Sequence, residues 1–191
     1  MSIAHVCRVP ATGPDVFNKF RLGLLVAVVA AGMAFSSPVA ASNLATWPGP
    51  RPGTFALATI DRSIASLADA VEDVVVVHFF ATWCEPCRAE LVALDAYARA
   101  NPDARLRILV ISVGEPEARV RRFFASLPVA FPVLLDPDST VGRAWGVTAF
   151  PTTFVLAPGL APALKAEGEL DWSAAAIRDA LARLALKPET R

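Results

Sequence analysis

Apolar positions fall along this chain in short unbroken runs separated by longer amphipathic ones. Val74 to Phe80 holds four valines, His78 and two phenylalanines in succession, which predicts a strand buried on both faces. Pro86 to Ala100 consists of helix formers with Leu91, Leu94 and Ala98 on one stripe, and Asn101-Pro102 ends it. Leu106 to Val113 predicts a second buried strand. Glu115 to Leu127 predicts a helix with two glutamates in its first turn and three arginines beyond, the charge order that a helix dipole favours. Phe131 to Leu135 is a third strand, and Asp136-Pro137-Asp138-Ser139 a turn that caps a short helix running through Trp145. Thr152 to Leu156 and Leu164 to Leu170 complete the strands. Ser173 to Leu186 closes the chain as a helix with Ile177, Leu181 and Leu184 in register. A short amphipathic helix over Ile60 to Val71 precedes them all. Strands alternating with helices predict an α/β fold with a partly parallel sheet.

The first residues follow a different pattern. Leu22 to Phe35 is a fourteen-residue apolar stretch behind Arg8, Lys19 and Arg21. That is short for a membrane span and suits the apolar region of an export signal. Val39 and Ala41 are small residues at the positions required for cleavage after Ala41. Residues 1–41 therefore read as a signal peptide or an uncleaved N-terminal anchor. Either fate takes the rest of the chain outside the cytoplasm, into an oxidising space, and only the second ties it to a membrane. Residues 42–56, rich in proline and glycine around Trp47, read as an irregular lead-in, and residues 57–188 as one domain. Of 18 basic and 18 acidic residues, three and one leave with the signal, so the remainder carries 15 − 17 = −2. A near-neutral chain gives no reason to expect nucleic acid as a partner.

Chemistry concentrates after the first strand, at Trp83-Cys84-Glu85-Pro86-Cys87. The third cysteine, Cys7, lies in the signal, leaving one pair. Cys84 is expected at or just before the first turn of the helix that starts near Pro86, where proline lacks no helical partner. Free N–H groups and the helix dipole there favour thiolate over thiol, making Cys84 the nucleophile and Cys87 the resolving thiol. The pair would itself be the redox group, with no other cofactor. Glu85 opposes thiolate formation and argues for a reductant; Arg88 pulls the other way. A disulfide serving only as a staple would close a very small loop and add little stability. His78, alone once His5 leaves with the signal, and one cysteine pair make a poor metal site, since a structural zinc takes four ligands. His78 is either a proton relay to Cys87 or a buried neutral imidazole with no part in turnover.

Phe150-Pro151-Thr152-Thr153-Phe154 is the second informative run. A proline before a buried strand is a natural place for a cis bond, which would bring backbone groups of Ala149 and Phe150 to the cysteines for pairing with an extended peptide. The alternative is an ordinary edge-strand proline. Taken together, His78 to Leu91, Trp145-Gly146-Val147 and Phe150 to Phe154 resemble thioredoxin-fold proteins of the TlpA/ResA type, exported bacterial thiol-disulfide oxidoreductases.

The resemblance spans roughly residues 57–187. It implies a central mixed sheet flanked by helices, with an extra helix–strand unit between Ser112 and Leu135. It implies Cys84 and Cys87 as the redox pair, Pro151 as a cis-proline, and Trp83, Glu85, Pro86 and Phe150 around them. It further implies reduction of protein disulfides, such as apocytochrome c or copper-site cysteines, with electrons from a membrane partner. His78 departs from the pattern, standing where thioredoxins carry Asp and this group often Asn. Phe80 stands where Trp is common. Competing readings are an oxidant that introduces disulfides, a peroxidase on the same fold, and a non-catalytic metal or assembly chaperone.

Overall fold

The computed structural model describes residues 44–50, 53–102 and 105–186. The expected signal lies outside the described residues. Six strands form the main sheet: β1 (Ala45–Thr46), β4 (Val74–Phe80), β5 (Leu106–Val113), β6 (Val133–Asp136), β7 (Thr152–Ala157) and β8 (Ala161–Glu167). Their order is β1-β8-β7-β4-β5-β6. β4, β5 and β6 run parallel, whereas β7 is antiparallel to β4 and β8 to β7. A hairpin of β2 (Ala56–Ala58) and β3 (Ile64–Ser66) forms a separate two-stranded sheet that meets β6 through a bridge between Thr59 and Leu134. The helices are α1 (Glu85–Ala100), α2 (Glu117–Ala125), α3 (Thr140–Ala144) and α4 (Ala175–Ala185).

All seven residues of β4 are buried because both faces of the sheet are covered. Val74, Val76 and Phe80 join Leu91 and Leu94 of α1, Val120 and Phe124 of α2, and Ile177 and Leu181 of α4. Val75, Val77 and Phe79 face the opposite way, toward Phe55, Val141, Trp145 and Phe154. Alternation along the strand puts His78 on the α1 side. The second core is built on aromatic contacts around Trp145, whose ring lies 5.2 to 5.7 Å from those of Phe154, Phe79 and Phe55. α2 and β6 form the helix–strand unit expected between Ser112 and Leu135, and β6 lies parallel at the outer side of β5.

β4 and β5 keep the bounds read from the sequence, and α1 starts one residue earlier than Pro86. Its stop follows from Asn101, whose side-chain amide donates to the Tyr97 carbonyl at 2.8 Å before Pro102.

Other elements differ. Ile60 to Val71 is no α-helix but a turn, β3 and one 3-10 turn over Leu67–Ala70. Thr59, Asp61 and Ser63 hydrogen-bond to one another across that turn, and Arg62 takes φ 71°. Short polar side chains thus give the backbone an alternative to helix. The second helix begins at Glu117 rather than Glu115, because Pro116 takes the N-cap position. The last strand ends at Glu167, three residues short of Leu170, with Gly168 at φ 94°. In the lead-in, Ala45–Thr46 pairs with β8, and Trp47 packs against Phe154 at 4.8 Å between ring centroids.

Candidate active site

The site forms where β4 hands the chain to α1. The Cys84 N–H donates to the Ala81 carbonyl at 3.1 Å, so Ala81–Cys84 is a tight turn with Thr82 and Trp83 at its corners. Cys84 then occupies the N-cap of α1 in extended backbone, and its Sγ accepts the Cys87 N–H at 3.3 Å. Sulfur here stands where a cap oxygen usually does. Pro86 lies in the first helical turn, where a missing N–H costs nothing. Cys84 and Cys87 are joined as a disulfide with Cα atoms 5.3 Å apart. Cys84 keeps 6% of its surface exposed and Cys87 none, so an incoming group reaches Cys84.

Two aromatic rings border the disulfide. Trp83 is 67% exposed and its ring meets that of Phe150 edge-on at 5.7 Å. The Phe150–Pro151 peptide bond is cis. β7 opposes Phe79 with Thr152 and His78 with Thr153, which brings Phe150-Pro151 to the end of β4 from which Cys84 departs. The Ala149 carbonyl, expected to face an extended peptide, already accepts from Thr152 Oγ1 at 2.8 Å. Glu85 is exposed at the head of the helix.

His78 lies beneath this surface, fully buried. Its Nδ1 is 3.0 Å from Thr153 Oγ1 and 3.8 Å from Glu90 Oε1. Glu90 Oε1 accepts the indole N–H of Trp172 at 2.9 Å. His78 Nε2 and Glu90 Oε2 have no protein partner among the described residues. Burial lowers the His78 imidazole from 6.5 to about 3 and raises the Glu90 carboxyl from 4.5 to about 7. Around neutrality, therefore, the pair holds a neutral imidazole beside a carboxyl poised to exchange its proton. Glu90 stands one helical turn beyond Cys87, and both are buried on α1.

Glu90 is the residue that sequence reasoning missed. A signal existed: spacings of three and four residues place it on the buried stripe with Cys87, Leu91 and Leu94, where an acid is out of place. The other residues singled out by the sequence (Trp83, Cys84, Pro86, Cys87, Phe150 and Pro151) meet at one end of the sheet.

Comparison with known proteins follows the same lines. The AhpC/TSA family matches residues 50–160. The thiol-disulfide oxidoreductase ResA of Bacillus subtilis is 32% identical over 135 residues, covering 71% of this chain and 75% of the relative. Among solved structures, a thiol:disulfide interchange protein of the thioredoxin family from Chlorobium tepidum superposes with a TM-score of 0.63 at 24% identity, over 73% of this chain and 98% of the other. The exposed lipoprotein thioredoxin of Streptococcus pneumoniae gives 0.62 at 24% identity, over 69% and 99%.

Proposed function

Since this chain belongs to the AhpC/TSA family and is a thioredoxin-fold thiol-disulfide oxidoreductase of the ResA type, we propose that it reduces protein disulfides outside the cytoplasm through Cys84 and Cys87. The observation that carries the reading is a disulfide at a helix N-terminus whose first sulfur is accessible and whose second is enclosed. In the reduced protein the Cys84 thiolate attacks one sulfur of a client disulfide. A bond forms between Cys84 Sγ and that sulfur, and the client's other sulfur leaves as thiolate. Cys87 then loses its proton and attacks Cys84 Sγ, expelling the second client thiolate. Two electrons have passed to the client, and the Cys84–Cys87 disulfide remains. A dithiol partner must reduce it again for the next cycle.

Each neighbour has a role in this scheme. The helix N-terminus and the Cys87 N–H stabilise the Cys84 thiolate. Burial brings the Glu90 carboxyl to titrate near neutrality, so its ionised form receives the proton of Cys87 and becomes neutral, and His78 stands beside it as a neutral imidazole. Trp83 and Phe150 offer the apolar contact for a client peptide. Glu85 works against the thiolate and favours the reductive direction. Residues 1–41 direct export, and the folded domain follows them. Apocytochrome c and copper-site cysteines are the client class, and a membrane protein is the electron donor.

The test is the equilibrium reduction potential of the Cys84–Cys87 couple in glutathione and dithiothreitol buffers. A value near or below about −270 mV, as for thioredoxin, agrees with a reductant. A value near about −120 mV overturns the direction and makes the protein a disulfide donor.

A further inference from the structure

We propose that Glu115 is a positioning residue for the exchange reaction, clamping the turn that carries Cys84 from outside the Cys-x-x-Cys helix. The inference rests on Cys84 being the attacking thiol. Glu115 lies in the loop between β5 and α2, is 3% exposed, and aims its carboxylate at the turn after β4. Oε2 accepts the Thr82 backbone N–H at 2.7 Å and Ser112 Oγ at 3.1 Å. Oε1 accepts Thr82 Oγ1 at 2.5 Å. Arg119 Nη1 stands 3.9 Å from the same oxygen, but its side chain is largely exposed and the attraction is screened.

Thr82 is the first corner of the Ala81–Cys84 turn, so holding both its N–H and its hydroxyl fixes the path into the N-cap. The second corner is Trp83, and the next residue is Cys84 itself. No regular hydrogen bond of β4 or α1 secures Thr82, which belongs to neither element.

The clamp is itself held. Gly114 takes φ 72°, and its N–H donates to the Asp136 carbonyl at 2.8 Å. Its backbone angle favours glycine, and a Cβ there would come within 2.9 Å of Ser139 Oγ and displace that hydroxyl. Asp136 in turn accepts the backbone N–H groups of Thr140, Val141 and Gly142 at the start of α3. Hydrogen bonds on either side of the Gly114–Glu115 peptide thus link the end of β6 to the turn of the nucleophile. The helix–strand unit α2–β6 is anchored to the reacting end of the molecule by this acid.

A clamp of this kind acts on rate. The attacking sulfur must meet the client disulfide in line, and a misplacement of about 1 Å can cost on the order of a hundredfold. It also acts on thiolate stability, because Cys84 Sγ must stay over the Cys87 N–H.

The experiment compares the full chain with its Glu115→Ala, Glu115→Gln and Thr82→Val variants, each shown to be folded by circular dichroism. Two quantities are read on the reduced proteins: the exchange rate with a small aromatic disulfide, and the pH midpoint of Cys84 alkylation. Glu115→Ala should slow exchange about tenfold or more and raise the alkylation midpoint. Glu115→Gln keeps an acceptor for the Thr82 N–H and a donor for its hydroxyl, and should stay within about threefold of wild type. Thr82→Val keeps shape but loses one bond of the clamp, and should slow exchange by about two- to fivefold. Should Glu115→Ala fail to fold, Thr82→Val carries the test alone.

A purely structural acid would lower the unfolding midpoint yet leave both readouts of the folded protein unmoved, and that result overturns the proposal. Cys84→Ser is run beside them. Its abolishing exchange while the clamp variants match wild type refutes the clamp only; its retaining exchange refutes the redox pair and the clamp together.

Discussion

Consider replacing His78 with Asn in the oxidised protein, where neither cysteine titrates, and following the unfolding free energy between pH 4.5 and 6.5. In the unfolded chain the Glu90 carboxyl loses its proton near 4.5 and the His78 imidazole near 6.5. In the folded protein burial reverses their order, with the imidazole at about 3 and the carboxyl at about 7. Between these limits the unfolded pair binds one proton, on histidine, and the folded pair binds one proton, on glutamate. Folding thus moves a proton from one residue to the other without taking one up, and the pair adds no slope to stability in this window.

Each residue alone has a large slope, and the signs are opposite. With Asn at 78, the folded state still holds the Glu90 proton while the unfolded state holds none. The raised carboxyl then gives stability that is full below pH 4.5 and is lost as pH rises toward 7. One proton corresponds to at most about 1.4 kcal/mol per pH unit, and less at the ends of the window where the groups are half-titrated, so His78→Asn should lose about 2 kcal/mol relative to wild type across the window. Glu90→Gln does the reverse. Its lowered imidazole costs stability as pH falls through 6.5, so this variant should gain about 2 kcal/mol relative to wild type from pH 4.5 to 6.5. Gln also leaves an acceptor for the Trp172 indole. The double variant should parallel wild type. Urea unfolding at several pH values measures all four curves, and background carboxylates cancel in the differences. Single variants that run parallel to wild type would show that the two groups are not held neutral, and the reasoning about the proton on Glu90 would fall with them.

Cys84→Ser should abolish exchange, whereas Cys87→Ser should leave Cys84 able to form long-lived mixed disulfides with clients, visible on non-reducing gels; normal resolution by Cys87→Ser would reverse the assigned roles. Glu85→Gln removes a carboxylate beside the nucleophile and should move the reduction potential toward the oxidising side, measured in glutathione buffers. Trp83→Ala, at an exposed position, should change stability by no more than about 0.5 kcal/mol while slowing exchange with a protein client more than with a small disulfide. Trp145→Ala empties the centre of the second core and should cost about 3 to 5 kcal/mol in chemical denaturation.

How far the sequence could be read follows from what each segment depends on. β4 and β5 were legible because a strand covered on both faces takes apolar residues at nearly every position, and a short valine-rich run favours strand over helix. α1 was legible because proline at its head and Asn-Pro at its tail are local signals. Ile60 to Val71 was misread because its apolar spacing resembles a helix, while the decision lies with three short polar side chains that close a turn around Arg62. β1 was hidden altogether. Two residues, both exposed, have no pattern to show, and they are a strand only because β8 offers an unpaired edge.

At the site the division is of another kind. The cysteines could be found from spacing alone, since the disulfide and the helix N-terminus need only local sequence. The groups that control them come from elsewhere in the chain. Glu90 finds its indole partner 82 positions away, at Trp172, and Glu115 reaches Thr82 across 33. Helical spacing could have flagged Glu90 as buried, but its partner, and both the burial and the partner of Glu115, become visible only when the sheet brings distant segments together. His78 shows the limit most clearly. From the sequence it could be relay or bystander, and the structure adds the neighbour that makes the distinction measurable. A neutral imidazole 3.8 Å from a carboxyl that titrates near neutrality cannot itself take the proton of Cys87 at pH 7 without first becoming charged in a buried site. The carboxyl can take it by becoming neutral. The proposed scheme therefore assigns the Cys87 proton to Glu90, with His78 as the residue that shapes its surroundings.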